Sequence, residues 1–166
     1  MTAVRAGLIT VSTKGSAGQR EDQSGPAMRD AMTAAGHEVV STALVPDDVA
    51  KVANAILDAV RAGANVVLTS GGTGLSPNDV TPEATRRVID REIPGIAEAL
   101  RARSLAKTPH GMLSRGVAGA VGAALVVNLP GSPRAVNESL EVLIPVLSHA
   151  VELLAGESGE TGHRTA

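Results

Sequence analysis

Short apolar runs alternate with amphipathic segments along this chain of 166 residues. The runs are rich in Val, Leu and Ile, a composition typical of strands buried on both faces of a sheet. The segments between them carry apolar residues at helical spacing, and several are followed by glycine, a common helix terminator. The pattern predicts strands at 4–12, 38–45, 65–70 and 123–129. It predicts helices that begin near residues 24, 49, 81, 96 and 136.

The order of these elements favours an α/β fold. Strands that alternate with helices predict a mostly parallel sheet between two layers of helices, which gives three layers in all. One domain is predicted for residues 1–156, followed by a flexible polar tail at 157–166. Residues 14–23 are predicted to form a long loop. The glycine-rich stretch 109–122 fits either a hairpin or an irregular crossover.

Several predicted helices begin at residues that commonly cap helices. Ser24 and Thr81 stand just before a proline near the first helical turn, where N-caps are often found. Asp47 and Asp48 follow the second strand, and either could cap the helix that begins near residue 49. Ser132 precedes the last helix in the same way. These side chains are therefore predicted caps, and Asp47 is also open to a functional role.

Composition narrows the class of ligand. A formal charge of −2 and an isoelectric point near 6.1 argue against a nucleic-acid surface, which normally carries a basic excess. Cysteine is absent from the sequence, so disulfides and thiolate metal sites are excluded, and this suits the cytoplasm. Phe, Tyr and Trp are also absent, so a purine or pterin ring must lie against aliphatic, glycine or peptide surfaces. Neither a signal peptide nor a membrane-spanning run is predicted.

Residues 69–74 (Thr-Ser-Gly-Gly-Thr-Gly) follow a buried strand and form the first candidate site. Glycines let backbone N–H groups approach a ligand closely, and such groups favour anions. Asp79 follows just before a predicted helix, and a carboxylate beside an anion pocket fits a divalent cation between the two. Neither a Walker A motif nor Gly-x-Gly-x-x-Gly is present, which weakens the P-loop and Rossmann interpretations. The stretch predicts phosphate binding; a tight turn that includes Asp79 is the alternative.

Small polar residues follow four predicted strands at the same end. Ser12 follows the first strand, Asp47 the second, residues 69–74 the third and residues 128–132 the fourth. In an open α/β sheet, ligands bind at the C-terminal ends of the strands, near the point where strand order reverses. We therefore expect these residues to share one crevice that also contains Asp79.

Three motifs occur in order along the chain. They are 69–74 (Thr-Ser-Gly-Gly-Thr-Gly), 79–85 (Asp-Val-Thr-Pro-Glu-Ala-Thr) and 128–133 (Asn-Leu-Pro-Gly-Ser-Pro). Together they resemble the molybdenum cofactor biosynthesis family, and within it the Mog-type molybdopterin adenylyltransferases. The same pattern is fitted by 45–47 (Val-Pro-Asp), 22–26 (Asp-Gln-Ser-Gly-Pro) and 112–115 (Met-Leu-Ser-Arg). The resemblance extends over about residues 4–156.

This resemblance implies an enzyme that adenylates molybdopterin. The terminal phosphate of the pterin would attack the α-phosphate of ATP and release pyrophosphate, with Mg²⁺ as the metal. Asp47 and Asp79 would be the catalytic residues and the metal ligands. Nucleotide or phosphate binding is implied for Ser12, Ser24, Gly25, Ser70, Gly71, Gly72, Thr73 and Gly74. Pterin binding is implied for Ser114, Arg115, Asn128, Pro130, Gly131 and Ser132.

The sequence departs from the pattern of the family at two places. Thr13 and Lys14 follow Ser12 where the family often has an acid. Asn78 precedes Asp79 where many relatives carry Arg, which removes one charge near the phosphates. Neither change removes an implied metal ligand.

The resemblance also implies a cytoplasmic homotrimer that binds molybdopterin and ATP and hands its product to a molybdate-inserting enzyme. Neither a nucleic acid nor a membrane is an implied partner. The family also includes MoaB-type paralogues with nearly identical motifs, so a non-catalytic pterin-binding or scaffold protein is the alternative. A structural trimer domain with a degraded pocket is a third interpretation. The intact residues 71–74 and both acids speak against it.

Overall fold

Six strands form one sheet in the computed structural model, which describes residues 2–157. They are β1 (Arg5–Val11), β2 (Glu38–Val45), β3 (Val66–Ser70), β4 (Arg91–Glu92), β5 (Ala118–Val121) and β6 (Ala124–Leu129). Their order across the sheet is β2-β1-β3-β6-β5-β4. Apart from its first residue, the predicted tail at 157–166 lies outside the described residues.

Helices cover both faces of this sheet. They are α1 (Thr13–Ser16), α2 (Ser24–Ala34), α3 (Val49–Arg61), α4 (Thr81–Val88), α5 (Pro94–Leu105), a 3₁₀ helix (Pro109–Leu113) and α6 (Pro133–Ala155). Within residues 2–157, no helix combines the length and the apolar character needed to cross a bilayer. The predicted α/β fold, with a mostly parallel sheet between helices, is confirmed.

Two aliphatic cores lie on opposite faces of the sheet. Leu8 of β1 packs in one core with Met28 of α2 and with side chains of α5 and α6. The next residue, Ile9, packs in the other core with Val52 and Ile56 of α3. Successive side chains of a strand point to opposite faces, so one apolar run serves both cores. Each such buried side chain contributes about 1.5–3 kcal/mol of transfer free energy.

The topology creates a crevice beside β1. Strands β1, β2, β3 and β6 are parallel, so their C-terminal ends meet at one edge of the sheet. The chain leaves β1 for β2 on one side, and then returns to β3 on the other side. These two connections contain α2 and α3, which pack on opposite faces. Strand order therefore reverses between β1 and β3, the position at which open α/β sheets bind ligands.

Three local predictions need correction or completion. The predicted loop at 14–23 overlaps α1, because Ser12 Oγ accepts a hydrogen bond of 3.0 Å from the Gly15 N–H and caps a short helix. Strand β4 was not predicted, since its two exposed residues extend only by pairing with β5. For residues 109–122 the hairpin alternative is confirmed in part. β5 and β6 pair antiparallel across a turn at Gly122, which has φ 55°.

Candidate functional site

A pocket of about 680 Å³ lies at the C-terminal edge of the sheet, beside the point where strand order reverses. This volume falls in the range of small-molecule sites. The sequence-predicted residues that line it are Ser12, Ser24, Asp47, Ser70, Gly71, Gly72, Asp79, Gly131 and Ser132. The prediction that four strand ends share one crevice is therefore confirmed for these residues.

The glycine loop after β3 packs tightly against its neighbours. Gly71 has φ 99° and Gly72 has φ 68°, a region that favours glycine. A Cβ on Gly71 would lie 2.3 Å from the Val11 carbonyl oxygen, and a Cβ on Gly72 would lie 2.3 Å from Thr81 Oγ1. The fold alone thus requires glycine at both positions. The prediction that these glycines form a tight turn is therefore confirmed. Phosphate binding by the loop stays a prediction.

Backbone hydrogen bonding shows which N–H groups of the loop remain available. The Gly71 N–H donates to the Leu129 carbonyl oxygen at 3.2 Å and is therefore committed to the link between β3 and β6. Within residues 2–157, the N–H groups of Gly72, Thr73 and Gly74 donate no hydrogen bond. Of these three residues, Gly72 lines the pocket. Gly72 is therefore the residue of the three that combines an undonated N–H with a place on the pocket wall.

Asp47 is held at the pocket by the short helix α1. The Thr13 N–H and Thr13 Oγ1 donate to Asp47 Oδ2 at 3.1 and 2.8 Å, and the Asp47 N–H donates to Thr13 Oγ1 at 3.0 Å. The second oxygen, Oδ1, lies toward Gly72, where a Cβ would be 3.1 Å from it. Helix α3 is capped instead by Asp48, whose Oδ1 accepts from the Lys51 N–H at 2.9 Å. Capping is thus assigned to Asp48, and Asp47 is left facing the pocket.

Asp79 closes a turn and also lines the pocket. Its Oδ2 accepts from the Ser76 N–H at 3.1 Å, and its own N–H donates to the Ser76 carbonyl oxygen at 2.9 Å. A Cβ on Gly74 would lie 2.8 Å from Asp79 Oδ2. The turn role that the sequence left open is therefore real. It is compatible with a site role, because Asp79 also lines the pocket.

Hydroxyl groups around the pocket fix its rim. Ser70 Oγ donates to the Pro130 carbonyl oxygen at 2.8 Å, and Ser24 Oγ donates to the Gly131 carbonyl oxygen at 2.7 Å. Thr81 Oγ1 donates to the Gly71 carbonyl oxygen at 2.9 Å. The predicted capping roles of Ser24 and Thr81 are therefore wrong: each is the first residue of its helix, and its hydroxyl links two loops of the rim. The predicted cap at Ser132 is confirmed, since its Oγ accepts from the Ala135 N–H.

Asp22 is a pocket residue to which the sequence assigned no role of its own. Its Oδ1 accepts from the Gly25 N–H at 2.9 Å, and so it caps the first turn of α2 in place of Ser24. Its Oδ2 accepts from Thr10 Oγ1 at 2.9 Å, which ties α2 to β1. A Cβ on Gly25 would lie 2.4 Å from this oxygen, so Gly25 serves the close approach of Asp22. An Asp just before a helix start, three residues before the N–H that it accepts from, is a capping signal that could have identified it.

Arg20 and Glu21 also line the pocket and were not predicted. Both side chains are exposed, and both belong to the stretch between α1 and α2. No motif or apolar pattern marks them, because their position depends on how this stretch crosses the edge of the sheet.

The predicted pterin-binding residues do not share one cavity. Gly131 and Ser132 line the main pocket. Ser114 and Arg115 line a separate cleft of about 380 Å³, and Ser114 also lines a small cavity with Asn128 and Pro130. Among the predicted nucleotide residues, Gly25, Thr73 and Gly74 lie outside the main pocket wall. Ligand contacts by all these residues remain predictions.

Asn128 is engaged within the fold. Its side chain is buried, and its Nδ2 donates to Thr69 Oγ1 and Thr85 Oγ1 at 3.0 and 2.9 Å. Its Oδ1 accepts from the Val117 N–H at 3.1 Å. The amide thus joins β3, α4 and the start of β5, and buried polar groups that are paired in this way stabilise a single arrangement.

An ion pair between Arg115 and Glu83 lies beside the Asp79 turn. Arg115 Nη1 donates to Glu83 Oε1, and the two side chains are 34% and 47% exposed. This hydrogen bond from Arg115 holds the pKa of Glu83 below its ordinary value. The hydrogen bond to Glu83 in turn raises the pKa of Arg115. Glu83 is therefore ionised at neutral pH and in mild acid.

We expect the contribution of this pair to stability to disappear in acid. Because the folded pKa of Glu83 is lowered, its stabilisation is complete above the unfolded pKa of about 4.3 and is lost as pH falls through the folded value. Glu83→Gln should lower the free energy of unfolding at pH 7 by about 0.2–1 kcal/mol, the range of exposed pairs. Urea denaturation of both proteins at pH 7 and near pH 3 measures this. A difference that persists unchanged in acid would contradict the assignment.

The fold and the pocket together define a class of protein: an open α/β domain with a glycine loop and two carboxylates at the C-terminal edge of its parallel strands. A family model described as a probable molybdopterin binding domain matches residues 7–149. The chain therefore belongs to the molybdenum cofactor biosynthesis family, and the resemblance in its motifs is confirmed. This places the chain in molybdenum cofactor biosynthesis.

Individual relatives agree with this family. A molybdopterin adenylyltransferase of Escherichia coli K12 is 39% identical over 85% of this chain and 74% of its own length. A solved structure of the molybdopterin biosynthesis enzyme MoaB from Thermus thermophilus is 49% identical, with a TM-score of 0.86 over 92% of this chain and 97% of that one. The Mog protein of Mycobacterium ulcerans is 42% identical, with a TM-score of 0.86 over 94% and 99%. Other curated relatives are longer, and the chain spans only 26% to 49% of their length.

Proposed function

We propose that this protein transfers the adenylyl group of ATP to molybdopterin, with Mg²⁺ as the metal. One observation carries the proposal: Asp47 and Asp79, from two different loops, line the same pocket beside the glycine loop. Their carboxylates approach Gly72 and Gly74, respectively. The likeness to the Escherichia coli molybdopterin adenylyltransferase supports the same reaction.

The donor groups suit Mg²⁺ bound together with a phosphate. Among residues 2–157 no three His, Asp or Glu side chains form a complete metal site. Mg²⁺ is usually held by one or two carboxylates, with phosphate oxygens and water completing its octahedron. Asp47, whose Oδ1 is not used by Thr13, and Asp79 would supply those carboxylates. When bound, Mg²⁺ neutralises charge on the phosphate oxygens.

The remaining task of the protein is positioning. An oxygen of the terminal phosphate of molybdopterin attacks the α-phosphorus of ATP, and the bond from that phosphorus to the bridging oxygen breaks. Pyrophosphate leaves with the electron pair. The attacking oxygen is already anionic at neutral pH, so no covalent nucleophile is required, and transfers of this kind depend mainly on orientation and charge neutralisation. The Gly72 N–H and the exposed Arg20 are donors on the pocket wall that could meet phosphate oxygens.

Adenine and the pterin must be recognised without aromatic stacking, because the chain has no Phe, Tyr or Trp. The pocket wall offers aliphatic surface from Val11 and Pro133, together with peptide groups of the rim loops. We propose that both rings are held by backbone hydrogen bonds and aliphatic contacts of this kind.

The test is to incubate the protein with molybdopterin and Mg-ATP, and to measure adenylated pterin and pyrophosphate together. The Escherichia coli adenylyltransferase serves as the positive control under the same conditions. Equal amounts of both products are expected. If the control turns over and this protein yields neither product, the enzymatic proposal fails.

A non-catalytic pterin-binding protein is the second candidate. The fold does not separate it from the enzyme, because a MoaB structure and a Mog protein match this chain with the same TM-score of 0.86. Such a protein would bind molybdopterin with equal affinity in the presence and absence of Mg-ATP, and it would release no pyrophosphate. The two candidates are therefore separated by one measurement of pyrophosphate.

The proposal also includes a cytoplasmic homotrimer and a partner that inserts molybdate. Exposed apolar side chains that could lie in an interface occur at the end of α5 and in the 3₁₀ helix, at Leu105, Met112 and Leu113. Sedimentation equilibrium of the purified chain would give the oligomeric state directly.

A further inference from the structure

We propose that Arg115 is a positioning residue that holds Asp79 and residues 73–79 against the pocket, instead of a pterin-binding residue. Its effect on catalysis rests on the proposed function, whereas its hold on the loop does not. The proposal replaces the ligand role that the family resemblance implied for Arg115.

Arg115 contacts the loop near both of its ends. At the first end, its backbone N–H donates to the Thr73 carbonyl oxygen at 2.8 Å, and its Nε donates to the Gly74 carbonyl oxygen at 2.8 Å. At the other end, its Nη2 donates to the Asp79 carbonyl oxygen at 2.7 Å. Arg115 thus joins both ends of the loop, outside which the Thr81 N–H also donates to the Gly72 carbonyl oxygen at 3.1 Å.

Glu83 fixes the guanidinium group itself. Arg115 Nη1 donates to Glu83 Oε1, and Arg115 Nη2 lies 3.5 Å from Glu83 Oε2. Glu83 belongs to α4, the helix that follows the loop. All three nitrogens of the guanidinium therefore have partners within the protein, so little hydrogen-bonding capacity remains for a ligand. The planar fork of Arg suits this set of acceptors, which a lysine cannot match.

The loop depends on this clamp because its middle makes few other contacts. Leu75, Ser76, Pro77 and Asn78 are all exposed, and the Asp79 carboxylate bonds to Ser76 inside the same turn. The turn is closed by hydrogen bonds within an exposed segment, and such bonds open readily unless the ends of the loop are held. Arg115 holds those ends, since it is anchored in the segment that leads into β5, where Arg101 donates to the neighbouring Gly116 carbonyl oxygen. A carboxylate on an unanchored loop would sample positions away from the productive one.

Hydrogen exchange of the ligand-free protein tests the clamp directly. The reporters are the Ser76 and Asp79 N–H groups, which are bonded across the turn. Arg115→Ala should speed their exchange by about tenfold, the change expected when hydrogen bonds to a charged group are lost. Arg86→Ala is the matched control, because Arg86 lies on α4, pairs with the exposed Glu92 and makes no hydrogen bond to the loop. It should leave both rates unchanged.

Turnover and ligand binding test the consequence for the site. Arg115→Ala should raise the Mg²⁺ concentration for half-maximal activity by about tenfold, as loss of a group that orients a metal ligand usually does. Its affinity for molybdopterin, measured without ATP, should be unchanged. Arg115→Lys keeps the charge but cannot bridge the same acceptors, so it should behave like Arg115→Ala.

Several outcomes would overturn the proposal. Loop exchange in Arg115→Ala at the wild-type rate would do so whether or not the protein is an enzyme. Full activity in Arg115→Lys would show that charge alone is sufficient. A tenfold loss of molybdopterin affinity with unchanged loop exchange would return Arg115 to a ligand role. If wild type shows no turnover but Arg115→Ala still frees the loop, the clamp stands and only the adenylation proposal fails.

Discussion

Asp79→Asn is expected to lower the rate of molybdopterin adenylation by about 10²–10³-fold, the scale of losing one preorganised electrostatic group in an active site. The substitution changes charge and almost nothing else. The amide oxygen can still accept from the Ser76 N–H, so the turn should persist. The carboxylate charge that would face Mg²⁺ is lost. Stability and molybdopterin binding should stay at wild-type values, which urea denaturation and a binding titration would verify.

Asp47→Asn should produce a loss of similar size for the same reason. Its amide oxygen can take over the hydrogen bonds that Thr13 donates to Oδ2, while the oxygen that lies toward Gly72 is replaced by an uncharged group. Asp48→Asn is the matched control. Asp48 is adjacent and exposed, it caps α3, and it does not line the pocket. Asn caps helices as well as Asp does, so activity and stability should both be unchanged.

Normal turnover in both Asp47→Asn and Asp79→Asn would remove the metal-ligand assignment. A loss in Asp48→Asn equal to that of Asp47→Asn would point to a general effect on the start of α3. A loss confined to Asp79→Asn would leave Asp47 as a residue that merely holds α1.

The second large effect is on stability, at Gly71. Its φ of 99° is strained for any other residue, and a Cβ there would lie 2.3 Å from the Val11 carbonyl oxygen, a backbone atom that cannot move away easily. Gly71→Ala should therefore lower the free energy of unfolding by about 3 kcal/mol or more, since strain and a core clash add. Urea denaturation at pH 7 measures this loss.

Gly18→Ala separates the cost of backbone strain from the cost of the clash. Gly18 also has positive φ, 73°, but no atom lies within 4 Å of where its Cβ would be. The free energy of unfolding of this variant should fall only by the cost of backbone strain, about 1–2 kcal/mol. Equal losses in the two variants would mean that the loop after β3 does not pack against β1 as described.

Much of the fold follows from local pattern. β1, β2, β3 and β6 were predicted within one or two residues, because long apolar runs leave few other solutions. Helix α3 was predicted for a similar reason, and the structure chose Asp48 from the two predicted caps. Strand β4 was missed, since two exposed residues carry no period and extend only through their pairing with β5.

The candidate site was predicted less completely. Parallel strands place their C-terminal ends together, so Ser12, Asp47 and Gly72 could be assigned to one crevice from strand order alone. The hydroxyl groups were harder to interpret. Ser24 and its acceptor Gly131 are 107 positions apart, and no local preference reports such a hydrogen bond. Local preference predicted helix caps at Ser24 and Thr81. In the structure both hydroxyl groups donate instead to carbonyl oxygens at the rim of the pocket.

The sequence by itself determined the three-layer α/β class, the edge of the sheet that carries the pocket, and the family. These depend on hydrophobic period and on short motifs, which are properties of neighbouring residues. Only the tertiary structure decided which polar groups face the pocket and which form hydrogen bonds within the protein that hold the pocket together. Asn128 and Arg115 form hydrogen bonds with residues of distant segments. Thr13 binds only Oδ2 of Asp47, and Asp48 caps α3, so Asp47 Oδ1 is not used by either. Those roles depend on where separate segments meet in space, and that is set by packing of the whole sheet.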